Sequence, residues 1–297
     1  MKNLSLIVAT VDRTDPLERL FASLQTQTYS NFEVILIDQN RDDRLAAMVA
    51  FWSTKFPLVH LLSEKGLSRA RNKGIRFATG QFLAFPDDDC WYPPDLLESI
   101  VDWFSRHPEY SFLSTIALDA ENRLAANRWL RNSAEISRYN AFRAGISFSL
   151  FFRADAVRAV GGFDEGLGLG AGTPLGSGEE SDLALRVLES GHRGWFERSL
   201  VVFHPARVEN SSLAACELAA SYGIGFGYVL RRHQIPLMIS LYLCLRPVLG
   251  WAYWVLRRNR MSRVYLASFR GRLKGYLGFR QYRAEYGGNS SSSIPLR

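Results

Sequence analysis

The sequence is poor in cysteine. Its three cysteines, Cys90, Cys216 and Cys244, are widely spaced and odd in number in a chain of 297 residues. Disulfide-rich secreted domains and structural zinc sites both need more cysteines at closer, paired spacings, so the pattern indicates neither. There is also no room for a cleavable leader, because an apolar run begins at Leu4. We therefore expect a globular protein of the cytoplasm.

Acidic residues are scarce in the C-terminal part of the chain. From residue 213 onward thirteen lysines and arginines accompany only two acids, Glu217 and Glu285, a net charge of +11. The chain as a whole carries +7, so the preceding part carries −4. Such a split predicts a domain boundary and a surface partner of opposite charge. We expect one domain over residues 1–212, a helical, basic and apolar appendage over residues 213–286, and a disordered tail over residues 287–297.

The N-terminal part has short apolar runs that alternate with helical patterns. The apolar runs cover residues 4–9, 34–37, 59–62 and 82–85, and helical spacing covers residues 16–27, 44–56 and 67–78. Strands that are apolar throughout and alternate with helices predict a parallel sheet covered on both faces. The expected fold class is therefore α/β, with a Rossmann-like, mainly parallel sheet flanked by helices. Ligands of such sheets bind beyond the carboxyl ends of the strands.

Three consecutive acids, Asp87, Asp88 and Asp89, follow the fourth of these runs. Adjacent carboxylates repel one another, so grouping them is costly unless a cation or a hydrogen-bonded partner offsets the repulsion. Hard oxygen ligands suit Mg²⁺ or Mn²⁺, which keep coordination positions open for phosphates. A solvated acidic turn is the alternative. Thr10, Asp12 and Asp38 are expected at the same sheet edge, so one crevice would collect all of these side chains.

Several motifs, in this order, resemble family 2 glycosyltransferases of the GT-A fold. They lie at residues 4–10, 23–29, 32–38, 66–74, 87–89, 161–165 and 178–186. The resemblance covers residues 3–210 and points to enzymes of the bacterial surface-polysaccharide or exopolysaccharide type. It implies a hexosyltransferase that inverts the anomeric centre and uses a nucleotide-diphosphate sugar together with Mg²⁺ or Mn²⁺.

The resemblance implies a role for each acid at the sheet edge. Asp87 and Asp89 match the outer acids of the metal motif, with Asp89 as the principal ligand. His204, at the end of an apolar run, is a further candidate ligand of the metal or the diphosphate, and a structural role is the alternative. Asp88 stands where the family usually has a small residue, so which aspartate ligates the metal directly is left open. Asp38 would accept a hydrogen bond from uracil, thymine or guanine. The implied nucleotide contacts are Ala9, Thr10, Asp12, Asp38, Arg71, Asp87 and Asp88.

A second acidic cluster, Glu179, Glu180 and Asp182, opens a helical pattern after a glycine-rich stretch. Acids at the start of a helix are favoured by the helix dipole alone. The resemblance implies that Glu180 is the general base, with Glu179 as the alternative, and that Asp182 supports the loop or binds the acceptor. Trp91 and Tyr92 could stack on a sugar ring, although Trp91 could equally belong to the core.

Residues 235–256 are almost wholly apolar but contain Arg246, and four arginines follow within residues 257–263. A central arginine is costly in a bilayer, so crossing is not favoured. We expect a helical hairpin in the interface of an anionic membrane, at the inner face of the cell membrane, with Trp251, Tyr253 and Trp254 at headgroup depth. A helical cap on the sheet and a dimer interface are the alternatives.

The sequence thus predicts a metal-dependent glycosyltransferase that moves one sugar to a saccharide acceptor, lipid-linked in the favoured version. Single addition is favoured because no Gln-Arg-Trp type motif follows the base cluster; the Asn-Arg-Trp at residues 127–129 precedes it. A nucleotidyltransferase is the runner-up, but residues 9–15 lack a glycine-rich phosphate loop. A non-enzymatic basic module that binds membranes or nucleic acid is the third hypothesis. Nucleic acid is disfavoured, because the positive charge is mixed with tryptophan and leucine runs.

Overall fold

A computed structural model describes residues 3–125, 129–206 and 210–286. Asn127, Arg128 and the predicted disordered tail, residues 287–297, lie outside the described residues. The strands are β1 (Leu4–Thr10), β2 (Phe32–Asp38), β3 (Leu58–Leu62), β4 (Phe82–Ala84), β5 (Phe112–Leu118), β6 (Ala134–Ile136), β7 (Leu150–Arg153) and β8 (Gly194–Phe203). The helices are α1 (Asp15–Gln25), α2 (Ala46–Trp52), α3 (Leu67–Phe77), α4 (Leu96–Arg106), α5 (Ala154–Ala159), α6 (Glu179–Glu189), α7 (Leu213–Arg232), α8 (Leu237–Leu256), α9 (Met261–Leu277) and α10 (Phe279–Tyr286).

The eight strands form one sheet in the order β3-β2-β1-β4-β7-β5-β8-β6. The first four in this order are parallel, and their apolar side chains form much of the core. Thr10 is in register with Asp38, and a further parallel bridge joins Ala9 to Asp87. The strand ends that carry the predicted site residues therefore meet at one edge, as expected for a parallel α/β sheet.

The other half of the sheet is mixed. β7 is antiparallel to both β4 and β5, whereas β8 is parallel to β5. The end of β8 returns to the acidic edge, since Phe203 and Trp91 form a bridge through two backbone hydrogen bonds of 2.9 and 3.0 Å. His204 follows immediately. The predicted α/β class, with a sheet flanked by helices and with C-terminal helices, is confirmed.

The glycine-rich segment before α6 is held by contacts with α3. The Asn72 side chain donates to Phe163 O at 2.9 Å, and its oxygen accepts from Phe163 N at 2.8 Å. Gly168 has a φ of +96°, and a β-carbon there would lie 3.1 Å from Glu179 Cδ. Glycine is required at this position for both its backbone conformation and its size.

The C-terminal helices pack through small residues. α7 crosses α9 so closely that a β-carbon on Gly275 would lie 1.9 Å from Ile224 O, and one on Gly227 would lie 2.1 Å from Arg272 O. Only glycine allows two helix backbones to approach to this distance. Residues 233–236 then connect α7 to α8, whose outer face is exposed.

Candidate active site

Three potential metal ligands meet at the carboxyl edge of the sheet. Asp87, Asp89 and His204 each contribute one donor atom to a group in which all atoms lie within 4.8 Å of one another. Asp87, which follows β4, is placed there by its bridge to Ala9 of β1, and His204 by the end of β8. Two carboxylates and one imidazole suit a divalent cation such as Mn²⁺. The structure thus brings together the three residues predicted as metal ligands.

The His204 ring is oriented for such a site. Its Nδ1 donates to Pro205 O at 2.9 Å, its Nε2 lies 3.2 Å from Asp89 Oδ1, and the ring stacks on Phe148. Metal-ligating histidines commonly donate their other ring nitrogen to a carbonyl, which fixes the nitrogen left for the metal. Burial would lower the pKa of His204, but its hydrogen bond and charge interaction with Asp89 raise that pKa overall.

Asp88 is directed away from this group. Its carboxylate accepts from Thr10 Oγ1 at 2.7 Å and from Arg13 Nη1 at 2.8 Å. Arg13 Nη1 also donates to Asp89 Oδ2 at 2.7 Å. Burial raises the pKa of Asp88, although Thr10 and Arg13 oppose the shift. The pKa of Asp89 is lowered instead, because its interactions with His204 and Arg13 together outweigh the effect of burial.

Arg71 connects two groups of side chains. One is the metal-ligand group, Asp87, Asp89 and His204, and the other is the base cluster, the acids Glu179, Glu180 and Asp182 in the first turn of α6. Its Nη2 donates to Asp87 Oδ1 at 3.0 Å and its Nη1 to Glu179 Oε1 at 3.3 Å. The sequence predicts a nucleotide contact for Arg71; the structure shows its guanidinium inside an ion-pair chain, with the side chain 1% exposed. Burial raises the pKa of Asp87, and Arg71 partly offsets this.

Glu179 and Glu180 occupy the first turn of α6, and both are buried. Burial and the charge of Glu180 raise the pKa of Glu179 to about 7, against the opposing effect of Arg71. A carboxylate with a pKa near neutrality can accept a proton under physiological conditions. Glu179 is therefore chemically suited to general-base work.

Asp182, grouped with these acids in the sequence, has a different environment. Its side chain is fully buried; Arg186 Nε lies at 2.8 Å, His233 Nε2 at 2.9 Å and Arg232 Nη1 at 3.3 Å. Burial alone would raise the pKa of Asp182, but its cationic neighbours lower it well below the ordinary value. These contacts agree with a role in supporting the loop and leave no face of the carboxylate for an acceptor.

The predicted nucleotide pocket is built around Asn40. Asp38, which is buried, accepts from Asn40 N at 2.8 Å and from Asn40 Nδ2 at 2.7 Å. Asp12 is exposed, has a φ of +58°, and donates its backbone N–H to Asn40 Oδ1 at 2.7 Å. His60 Nε2 also contacts Asp38, at 3.0 Å. Thr10, Asp12 and Asp38 thus lie together, but the Asp38 carboxylate already has two partners.

The two aromatic residues after the aspartates belong largely to the protein interior. Trp91 stacks on Phe203, and the guanidinium of Arg19 lies 3.2 Å from its ring centroid. Tyr92 is 2% exposed and packs against Phe151. Tyr92 therefore has no ring face open to a sugar, because almost none of the residue is exposed.

Sequence reasoning missed two basic residues of this site, Arg13 and His60. Arg13 pairs with aspartates 75 and 76 positions away, and His60 with an aspartate 22 positions away. The available signal was their place: Arg13 lies just after β1, and His60 lies inside β3 beside β2. A cation beside a strand end where acids collect should be included among candidate partners.

Comparisons with known proteins agree with this architecture. Residues 5–154 match the sequence profile described as glycosyl transferase family 2. An uncharacterized glycosyltransferase of Haemophilus influenzae is 34% identical over 112 residues, which are 37% of this chain and 37% of that protein. The chain thus matches little more than a third of that relative's length. Glycosyltransferase AglE of Haloferax volcanii is 25% identical over 265 residues, which cover 85% of this chain and 79% of that protein.

A solved structure has the same fold. The mannosyltransferase PcManGT of Pyrobaculum calidifontis, in complex with GDP-Man and Mn²⁺, aligns with a TM-score of 0.67 at 17% identity. The alignment covers 92% of this chain and 86% of that one. The shared fold therefore includes the C-terminal helices as well as the sheet.

Proposed function

Because this chain belongs to glycosyl transferase family 2, we propose that it is an inverting, metal-dependent glycosyltransferase that moves one sugar from a nucleotide-diphosphate donor to a saccharide acceptor. The observation that carries the proposal is the chain of contacts from the metal-ligand group through Arg71 to Glu179. In this proposal the contacts would place a diphosphate-binding group and a proton acceptor in one crevice, and sugar transfer from such a donor needs both.

The proposed metal ligands are Asp87, Asp89 and His204. A divalent ion held there would neutralise the charge of the leaving diphosphate. The imidazole favours Mn²⁺ over Mg²⁺, since Mg²⁺ prefers oxygen ligands alone. Arg13 contacts Asp88 and Asp89 and its side chain is half exposed, so its guanidinium would also be able to reach a phosphate. The mannosyltransferase with GDP-Man and Mn²⁺ supports this class of donor and metal.

We assign the general base to Glu180. Its neighbour Glu179 is engaged by Arg71, so Glu179 would hold that cation and keep the first turn of α6 beside the donor. Glu180 would take the proton from the incoming hydroxyl as the new glycosidic bond forms and the bond to the diphosphate breaks. Glu179 is the second candidate, because its pKa is raised to about 7.

The acceptor is proposed to be lipid-linked because of the surface of α8. Apolar side chains at Met238, Leu241, Leu245 and Leu249 lie on one exposed stripe at helical spacing. The opposite stripe, which includes Leu243 and Cys244, is buried. An unpartnered apolar stripe of this length marks an interaction surface.

Charge selects the partner of this stripe. Arg257, Arg258, Arg260 and Arg263 follow α8 and are exposed, so we propose that α8 lies in the interface of an anionic membrane. By length and composition both α7 and α8 could cross a bilayer, but α7 is more buried, 39% against 22%. Arg246 in the middle of α8 argues against crossing. The setting would be the inner face of the cell membrane, during surface-polysaccharide assembly.

A thermal-shift screen of UDP, GDP and dTDP, each with and without Mn²⁺, tests the donor class. A nucleotide at a hundred times its Kd should stabilise the fold by about 2.7 kcal/mol. The sugar nucleotide of the best binder should then release its nucleoside diphosphate in the presence of acceptor. No stabilisation by any of the three with Mn²⁺ would contradict the proposed function.

A further inference from the structure

Two residues at the C-terminal end of α7 contact the segments that carry the acidic motifs. Arg232 Nη1 donates to the Asp164 carboxylate and lies 3.3 Å from Asp182 Oδ1. Asp164 belongs to the segment clamped by Asn72, whereas Asp182 belongs to the first turn of α6. One guanidinium therefore joins two segments that are separate in sequence but both border the proposed site.

The next residue, His233, grips α6 at two points. Its Nε2 lies 2.9 Å from Asp182 Oδ1, and its Nδ1 lies 2.8 Å from Glu189 Oε1. A carboxylate oxygen lies within hydrogen-bond distance of each ring nitrogen, so both sides of the ring contact α6. His233 and Asp182 are both buried, so these contacts are shielded from solvent. The ring thus fixes α6 at its first turn and at its last residue.

The body of α7 also holds the residue pair just before Glu179. Ser177 Oγ donates to Tyr222 O at 2.8 Å. Gly225 lies against the same residue so closely that a β-carbon would fall 2.1 Å from Ser177 O. Gly178, with a φ of +97°, contacts Val229. The start of α6 is therefore set by α7 through both backbone packing and ion pairs.

We infer that Arg232 and His233 are positioning residues for the proposed base. Acting through Asp182, they hold the amino end of α6 so that the carboxylates of Glu179 and Glu180 face the donor. The inference rests on the proposed function and extends it: the α7 segment, which the sequence assigns to an appendage, is part of the catalytic unit. Loss of either side chain removes a partner of the buried Asp182 carboxylate, and small displacements of a catalytic group lower the rate strongly.

The test compares Arg232→Gln and His233→Gln with Arg231→Gln. Arg231 is the matched control, because it is exposed and its guanidinium lies over Tyr276, 5.5 Å from the ring centroid. The two positioning variants should lower kcat by at least ~10-fold, while calorimetry with UDP, GDP or dTDP and Mn²⁺ gives the wild-type affinity. Arg232→Lys should recover only part of the activity, because an ammonium cannot span two carboxylates as a guanidinium does.

Hydrogen exchange separates positioning from general stability. In Arg232→Gln, amides of residues 174–189 should exchange faster, and those of β1 and β4 should not. Unchanged kcat in a folded variant would overturn the inference, as would an equal effect in Arg231→Gln. A parallel loss of kcat and nucleotide affinity, with faster exchange everywhere, would reduce both residues to a stabilising role. If wild-type protein transferred no sugar, the proposed function would fail, but unchanged exchange over residues 174–189 would still refute the positioning role by itself.

Discussion

Arg71 Nη2 lies 3.0 Å from Asp87 Oδ1. The same side chain, 1% exposed, contacts Glu179 with its other terminal nitrogen. A single buried cation therefore lies between the carboxylates of the metal-ligand group and those of the base cluster. Its positive charge partly offsets the rise that burial causes in the pKa of Asp87 and in that of Glu179.

Replacing Arg71 by Gln should destabilise the fold. Breaking a buried ion pair on one side leaves uncompensated charge, which commonly costs about 3–5 kcal/mol. Urea unfolding measures the change. Arg69→Gln is the control, since Arg69 is on the same helix but its side chain is 41% exposed, and it should shift stability by less than ~0.5 kcal/mol. Equal effects of the two substitutions would contradict the buried ion-pair role of Arg71.

Asp89→Ala should abolish metal-dependent nucleotide binding, because it removes a carboxylate from the group with Asp87 and His204. Calorimetry with the best-binding nucleoside diphosphate should show loss of the affinity gained on adding Mn²⁺. Asp42→Ala, an exposed acid paired only with Arg44 among the described contacts, serves as the control. Unchanged affinity with Mn²⁺ present would refute the metal role of Asp89.

Glu180→Gln should keep donor binding but lower turnover by about 10²-fold or more, the range that removal of a general base commonly gives. The amide preserves the size of the side chain but cannot take up a proton. Steady-state rates and donor affinity must be measured on the same preparation. Near-normal turnover would shift the role to Glu179, whose Gln variant should be assayed beside it.

Glu179 should make stability depend on pH. Its pKa rises from 4.5 to about 7 on folding, so the folded state binds more protons than the unfolded state between these values. The free energy of unfolding should therefore fall as the pH rises from about 4.5 to about 7. Urea unfolding across this range should show a smaller fall in Glu179→Gln than in wild type. Identical pH profiles would mean that the carboxyl titrates normally.

Replacing Arg257, Arg258, Arg260 and Arg263 by Gln should release protein from anionic liposomes, because each surface arginine contributes ~1 kcal/mol of salt-sensitive attraction. Nucleotide binding should be unaffected. A control variant that neutralises the exposed residues Arg41, Arg76, Arg106 and Arg123 loses the same charge elsewhere on the chain. In flotation, a spanning hairpin would stay bound until detergent is added, and a cap or dimer helix would show no lipid dependence.

The parallel half of the sheet could be predicted from sequence because each strand there is apolar at nearly every position. β1 and β2 appear within two residues of the expected bounds. β6 and β7 were not predicted, because strands of three and four residues carry too little pattern. β7 is also antiparallel to both of its neighbours, and pairing with distant strands leaves no local signal.

The candidate site, like the sheet, could be predicted from the sequence only in part. Polar residues at strand ends are visible in the sequence, so Asp87, Asp89 and His204 could be predicted as one group of ligands. The basic partners Arg13 and His233 were not predicted, because they lie 75 and 51 positions from Asp88 and Asp182 in the sequence. Burial explains the remaining differences between prediction and structure. Tyr92 and Arg71 were predicted to contact the sugar and the nucleotide, but packing places both side chains in the interior.

The connection between α7 and α8 limits how far the chemistry can lie from a lipid surface. Residues 233–236 span at most about 14 Å even when fully extended, and the first of them touches α6. If α8 lies at headgroup depth, then α6, which carries Glu179 and Glu180, lies close to the bilayer surface. The hydroxyl that receives the sugar must then belong to a residue near the lipid, so acceptors with a short glycan should be used better than long chains whose growing end extends into the cytoplasm.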